Sequence, residues 1–168
     1  SRFKTVAGVC ARDRAGAIAG LKALATGDSA PGVVDPHLRP IAGGRVFVYS
    51  GQGSHWAGMG RQLLADEPVF AAAVDELEPV FVEHVGFSLK QILTEGTEIS
   101  GDAQVQPVIM AVQLALTALW RSCGVEPDTV MGHSMGEITA AVVAGVLTPA
   151  QGIKIIARRS KVMSKMAG

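Results

Sequence analysis

Cysteine is nearly absent from these 168 residues: Cys10 and Cys123 are the only two, far apart and in no metal-like or redox spacing. That leaves no disulfide framework and fits two free thiols in a reducing cytoplasm. An excess of charge of one sign is also lacking. Fifteen basic residues balance fifteen acidic ones, so no overall footprint points to nucleic acid or an anionic membrane. No run approaches the roughly 20 apolar residues that a membrane-spanning helix needs. Nothing at the N-terminus has the charged, apolar, then small-residue layout of a signal peptide, and neither repeats nor low-complexity segments occur. What is present is 48% apolar residues against 18% charged, with positive mean hydropathy. That composition buries a large core and argues against disorder. The length suits one core plus an appendage and is short for two complete domains. A first residue of Ser1 rather than methionine suggests a piece of something longer.

Residues 1–25 read as a short strand, Phe3 to Val9, and a helix through Ala11–Ala25. From Thr26 to Gly44 the composition changes, with Pro31, Pro36 and Pro40 alternating with Gly27, Gly32, Gly43 and Gly44. Such a stretch holds neither a helix nor a central strand and is expected to connect. The pattern then becomes α/β. Arg45–Ser50 (RVFVYS) is a short β-rich run ending in a glycine-rich turn, as expected of a buried parallel strand. Helices are expected near Gly58–Asp66, Glu67–Val85 and Val105–Cys123. The last has Val105, Val108, Ile109, Val112, Leu116, Leu119 and Trp120 on one side. Thr129–His133 is a second strand, feeding a helix through Val146. A final helix has Thr148 as N-cap, Pro149 at its first position and Gln151 as capping-box partner.

Gly132-His133-Ser134-Met135-Gly136 is a G-x-S-x-G pentapeptide. A nucleophile on a sharp strand-to-helix turn is held in a strained conformation, with backbone passing so close that the flanking positions tolerate no side chain. The same turn aims the next N–H groups and a helix N-terminus at the oxygen that becomes an oxyanion. Alone the pattern is weak; a strand before it and a helix after it are the context the mechanism requires. The bland reading is an ordinary βα turn with an inert serine. A second glycine-rich turn, Gly51-Gln52-Gly53-Ser54-His55, follows the first strand. Turns after parallel strands converge at one sheet edge, so this one could face Ser134 with a second oxyanion donor, or be a tight loop without a role.

In the final helix, at about 100° per residue from Ile153, Lys154, Arg158, Lys161 and Lys165 fall at about 80–140°, a solvated cationic stripe. Arg159 falls at about 240°, between Met166 and Met163 and near Ile155 and Val162, on the apolar side. A buried guanidinium needs an anionic partner or costs several kcal/mol. Either an internal carboxylate pairs with it, or the carboxylate of a bound ligand does, for which its planar fork is suited.

Together GQGSHWAGMG at 51–60, VQPVIMAVQLALTALW at 105–120, GHSMGE at 132–137 and ARRSKVM at 157–163 resemble the malonyl/acyl-CoA:acyl-carrier-protein transacylase family. The likeness is specifically to the acyltransferase domain of a type I modular polyketide synthase. It covers residues 45–168, the N-terminal part of that domain, while residues 1–44 look like the linker from a preceding ketosynthase. The fold it implies is an α/β-hydrolase-like large subdomain with a short parallel sheet and a nucleophile elbow. The small ferredoxin-like subdomain of the family is expected to be missing from this chain. By the resemblance, Ser134 attacks an acyl-CoA thioester and holds the acyl group as an ester. The N–H groups of Met135 and Gln52 form the oxyanion hole. Arg159 pairs with the free carboxylate of a malonyl-type unit, and Gln106 and His133 help to line the site. The acyl group passes to the phosphopantetheine of an acyl carrier protein. No tightly bound cofactor, no metal, no nucleic acid, no membrane insertion and a cytoplasmic location are implied, within polyketide or complex-lipid biosynthesis.

The family's general base is a histidine well downstream of the serine. Neither His37 in the linker, His84 on a helix surface, His133, whose side chain should diverge from Ser134, nor His55, a pocket wall, replaces it. The chain is therefore expected to be catalytically incomplete alone. An α/β-hydrolase-type esterase or thioesterase also uses a serine elbow, but has no use for a carboxylate-seeking Arg159; a non-catalytic docking module is the third reading. Met135 and the stretch Asp102-Ala103-Gln104-Val105 match neither the methylmalonyl nor the malonyl pattern of the family; methylmalonyl is expected over malonyl.

Overall fold

A computed structural model describes residues 7–34 and 44–166, which fall into two compact units divided between Gly43 and Gly44. In the smaller unit, β1 (Gly8–Val9) and β2 (Val33–Val34) pair antiparallel, Gly8 opposite Val34 and Val9 opposite Val33. Between them runs α1 (Arg14–Thr26). Its N-cap is Asp13, whose carboxylate accepts from the Gly16 N–H at 2.7 Å. Its end is Gly27 in the left-handed region. The strand expected from Phe3 is thus Gly8–Val9, with residues 3–6 outside the described part. Beyond Thr26, where α1 ends, the stretch to Gly44 carries no helix among its described residues, but it does carry the two-residue β2. Pro36, His37, Pro40 and Gly43 lie outside the described residues.

The larger unit is built on a parallel pair, β3 (Val46–Tyr49) and β4 (Thr129–Gly132), with Val46 opposite Thr129 and Tyr49 opposite Gly132. A parallel pair needs a long crossover. Here it comprises α2 (Arg61–Asp66), α3 (Pro68–Val85), α4 (Leu89–Glu95) and α5 (Asp102–Ser122). After β4 come α6 (Gly136–Val143) and α7 (Pro149–Met166). The core sits among α3, α5 and α7, where Phe70, Val74, Phe81, Val108, Met110, Ile153 and Ile156 are all fully buried. Phe47 and Tyr49 face inward from β3, while Val46, Val48 and Met131 are exposed on the other face of the sheet.

Four differences from the sequence reading have physical causes. First, α4 was not anticipated; its signals lie at its ends rather than in a period, with Ser88 capping the Gln91 N–H at 2.9 Å and Gly96 left-handed. Second, α6 ends at Val143 rather than Val146, closed by left-handed Gly145. Third, α5 is buried all round from Val105 to Val112, so Gln106, Pro107 and Met110 are as inaccessible as the expected stripe, and Trp120 is exposed. Fourth, at 21 residues α5 is long and apolar enough to cross a membrane by length and composition alone. More than half of its most apolar stretch is buried inside the protein, as in a core helix. The capping box of α7 forms as read: Thr148 N donates to Gln151 Oε1 at 2.9 Å and Gln151 N to Thr148 Oγ1 at 3.2 Å.

Candidate active site

The chain leaves β4 at Gly132 and enters α6 at Gly136, turning through Ser134 at φ +56°, the one non-glycine residue in the left-handed region among the described residues. For a residue with a Cβ this conformation costs about 1–2 kcal/mol, and here it lifts the serine out of the strand. A side chain at Gly132 would overlap the Gly136 carbonyl and the Glu137 nitrogen; one at Gly136 would overlap the Tyr49 carbonyl. Both positions are therefore closed to anything but glycine by backbone on two segments, the start of α6 and the end of β3. The turn is tightened by Gly136 N donating to His133 O at 2.9 Å, Glu137 N to Ser134 O and Ile138 N to Met135 O, both at 3.1 Å.

The turn after β3 lies against this elbow. A Cβ on Gly51 would come 2.9 Å from His133 Nδ1 and 3.4 Å from Ser134 Cβ. His133 N donates to Tyr49 O at 3.0 Å, carrying the ladder one residue past β4. Among the described residues, the N–H groups of Gln52 and Met135 have no hydrogen-bond acceptor. Ser134 is exposed, and Met135 is fully buried.

Arg159 reaches this point from α7. Its Nη2 donates to Ser134 Oγ at 3.1 Å and its Nη1 to Gln106 Oε1. Gln106, only 1% exposed, donates from Nε2 to Gln52 Oε1 at 3.0 Å and to Met163 Sδ at 3.6 Å. The line Ser134–Arg159–Gln106–Gln52 thus joins four residues singled out from the sequence. One sequence expectation about Arg159 needs correction, and one of the two partners left open for it is absent among the described residues. It is half-buried rather than buried, because the helix buries Gly152, Ile153, Ile156, Ala157 and Ser160, whereas Ile155, Val162, Met163 and Met166 beside Arg159 are exposed. No internal carboxylate pairs with it: the ion pairs among the described residues are Arg45–Asp128, His84–Glu83, Lys90–Asp75 and Arg121–Glu126.

His133 is exposed and packs beside Gly51, and among the described residues no histidine hydrogen-bonds to Ser134. His55 Nδ1 is buried without a partner among the described residues. No cluster of metal-ligating side chains occurs among the described residues. A second polar set escaped sequence reasoning. Gln113 donates to the Ser50 carbonyl at 3.0 Å and accepts from the Thr139 hydroxyl at 2.7 Å. The Tyr49 hydroxyl lies 2.8 Å from Thr117 Oγ1, which donates to the Gln113 carbonyl at 2.7 Å. Burial pushes the Tyr49 phenol above its ordinary range, partly offset by the Thr117 hydrogen bond and the charge of Arg121. The available signal was a second glutamine seven residues after Gln106, on the same helical face.

A family model for the acyl transferase domain matches residues 46–168. One polypeptide of the phenolphthiocerol/phthiocerol polyketide synthase of Mycobacterium tuberculosis is 61% identical over all 168 residues, which make up 8% of its length. Among solved structures, the acyltransferase domain of the polyketide synthase PpsC of Mycobacterium tuberculosis is 63% identical at a TM-score of 0.73. The match covers 87% of this chain and 43% of that one. The acyltransferase domain from the second module of the salinomycin polyketide synthase is 39% identical at a TM-score of 0.80, covering 96% of this chain and 39% of that one. The chain thus spans less than half of the solved domains and a small part of far longer synthase polypeptides.

Proposed function

The chain belongs to the acyl transferase domain family as part of a polyketide-synthase acyltransferase, and from that premise we propose that Ser134 carries a malonyl-type acyl group between coenzyme A and a carrier protein. The observation that carries this reading is the guanidinium of Arg159, donating to Ser134 Oγ at 3.1 Å with no carboxylate partner among the described residues. A planar donor fork beside a nucleophile suits an acyl group that brings its own carboxylate.

In the forward half-reaction Ser134 Oγ bonds to the thioester carbonyl carbon, and the carbonyl oxygen takes the negative charge. The free N–H groups of Gln52 and Met135 stabilise that charge. The serine proton passes to a base, by the family resemblance a histidine roughly 100 residues further on. Collapse breaks the carbon–sulfur bond, and the coenzyme A thiolate leaves with that proton. The phosphopantetheine thiol of the carrier protein reverses these steps. Arg159 holds the far carboxylate, supported by Gln106. Methylmalonyl is favoured over malonyl, and the product belongs to a polyketide or complex-lipid route; the relatives are polyketide synthases by name. We assign residues 1–44 to the linker from a ketosynthase in the same cytoplasmic polypeptide. The larger unit is part of an α/β-hydrolase-like subdomain that a ferredoxin-like subdomain completes.

The test is intact-mass measurement of the complete domain after mixing with malonyl- or methylmalonyl-CoA. A long-lived adduct, absent in Ser134→Ala and reduced at least tenfold in rate in Arg159→Ala, is expected. Free acid released with no adduct would favour a hydrolase, and unchanged loading in Arg159→Ala would remove the carboxylate role.

A further inference from the structure

Gln113 lies seven residues beyond Gln106 on α5, and seven steps of about 100° return almost to the same direction. Its carboxamide is committed at both ends. Nε2 donates to the Ser50 carbonyl at 3.0 Å, with a 3.5 Å contact to the Ser50 hydroxyl, and Oε1 accepts from Thr139 Oγ1 at 2.7 Å. Thr139 is fully buried, on the helix that follows Ser134. Ser50 is where β3 becomes the first glycine-rich turn. The ladder's last bond, from His133 N, ends on the Tyr49 carbonyl, so the Ser50 carbonyl lies just beyond it and takes its donor from Gln113 instead.

Peptide planarity turns that one bond into a constraint on the turn. Fixing the Ser50 carbonyl fixes the plane that continues into Gly51, and Gly51 is the residue packed against His133 and Ser134. One amide side chain therefore ties the entry of the first turn to the helix that begins at the second.

We propose that Gln113 is a positioning residue for acyl transfer. Through the Ser50 carbonyl and the Thr139 hydroxyl it sets the spacing between the turns bearing Gln52 and Met135, and with it the geometry of the oxyanion site. This rests on the reading of Ser134 as the acyl carrier. Gln113 hydrogen-bonds to neither Ser134 nor Arg159; it acts through the Ser50 carbonyl and the Thr139 hydroxyl.

The experiment uses the complete domain with Gln113→Leu, Gln113→Glu and Thr139→Val. Readouts are kcat and KM for loading from malonyl-CoA, the rate of Ser134 phosphonylation by a p-nitrophenyl alkylphosphonate, and the thermal midpoint. Removing an oxyanion donor outright costs about 10²–10³ in kcat, so a donor kept but misaimed should cost about 10–100-fold. Gln113→Leu is expected to lose that much in kcat, with KM within about twofold, and to slow phosphonylation in proportion. Gln113→Glu keeps an acceptor for Thr139 without a donor for Ser50 and should fall nearly as far. Thr139→Val keeps the Ser50 bond and should lose about threefold to tenfold. Should the leucine variant misfold, the glutamate and valine variants carry the test. Wild-type kcat with a lowered thermal midpoint overturns the proposal in favour of a merely structural glutamine, and a raised KM at unchanged kcat overturns it in favour of a substrate contact. Loading that persists in Ser134→Ala would instead sink the acyl-carrier reading itself.

Discussion

The two glycine-rich turns end neighbouring parallel strands and meet at Gly51, yet they are held by opposite means. The turn after β4 is fixed by collision. Side chains at Gly132 or Gly136 would run into backbone, and Ser134 has little choice but its left-handed φ. The turn after β3 is crowded at Gly51, where it meets the elbow, but has room at its tip: Gly53 sits at φ +118° with nothing among the described residues within 4 Å of an added Cβ. Its position comes from side chains on α5, Gln106 at the Gln52 amide and Gln113 at the Ser50 carbonyl. A nucleophile needs one unvarying placement, and crowding supplies it. A turn that only contributes an N–H can be set by hydrogen bonds, which leaves its aim open to adjustment from the core.

The sharpest way to break this contrast is to give each turn the same methyl group. Gly136→Ala should cost at least about 3 kcal/mol, since the clash is with backbone and not with a side chain that can move. Gly53→Ala should cost about 1–2 kcal/mol from its positive φ alone. Urea unfolding of the complete domain measures both. Equal losses would mean that the first turn is as crowded as the second, and the contrast would fail.

A step smaller is Gln106→Leu, which is close in volume to glutamine but bonds to nothing. It frees Arg159 and the Gln52 side chain together while leaving the Ser50 anchor intact. We expect loading of malonyl-type units to fall about tenfold or more, mainly through KM, because a loosened guanidinium weakens a hold on substrate made before and during reaction. A change confined to kcat would place the role of Gln106 on the oxyanion side, beside Gln113.

What was legible in the sequence divides along the same line. The elbow could be read because its demand is steric and local: glycine at two fixed positions, a strand before and a helix after. The α7 capping box, also local, formed as read. Arg159 was placed among apolar neighbours, but that side of α7 is exposed and its burial was misjudged, since periodicity tells which side a residue takes and not whether that side is covered. Gln106 needed the family resemblance. Gln113, Thr139 and Tyr49 were missed because their partners lie 26 to 68 residues away, and hydrogen bonds at such separations leave no spacing to read. Helix α4 was missed although its two ends carry local signals, Ser88 and Gly96.

Tyr49 offers the gentlest probe, because it sits at the end of β3 behind the Ser50 anchor, 6% exposed and bonded to Thr117. Tyr49→Phe removes one hydroxyl from a buried pair and should cost about 1 kcal/mol at neutral pH, with the oxyanion geometry and the loading rate preserved within about threefold. The pH dependence separates this residue from the rest. Burial raises the folded phenol above its ordinary value of 10.0, so the neutral form is favoured in the folded state. Well below pH 10.0 neither state is ionised at this group, and its contribution is fully present. As pH climbs above 10.0 the unfolded phenol loses its proton first, and stability is lost until the folded phenol ionises too. Tyr49→Phe should therefore flatten the alkaline limb of the stability curve while leaving the neutral region parallel to wild type. An unchanged alkaline limb would show that Tyr49 is not held in its neutral form by burial, and the first turn would then rest on the two glutamines alone.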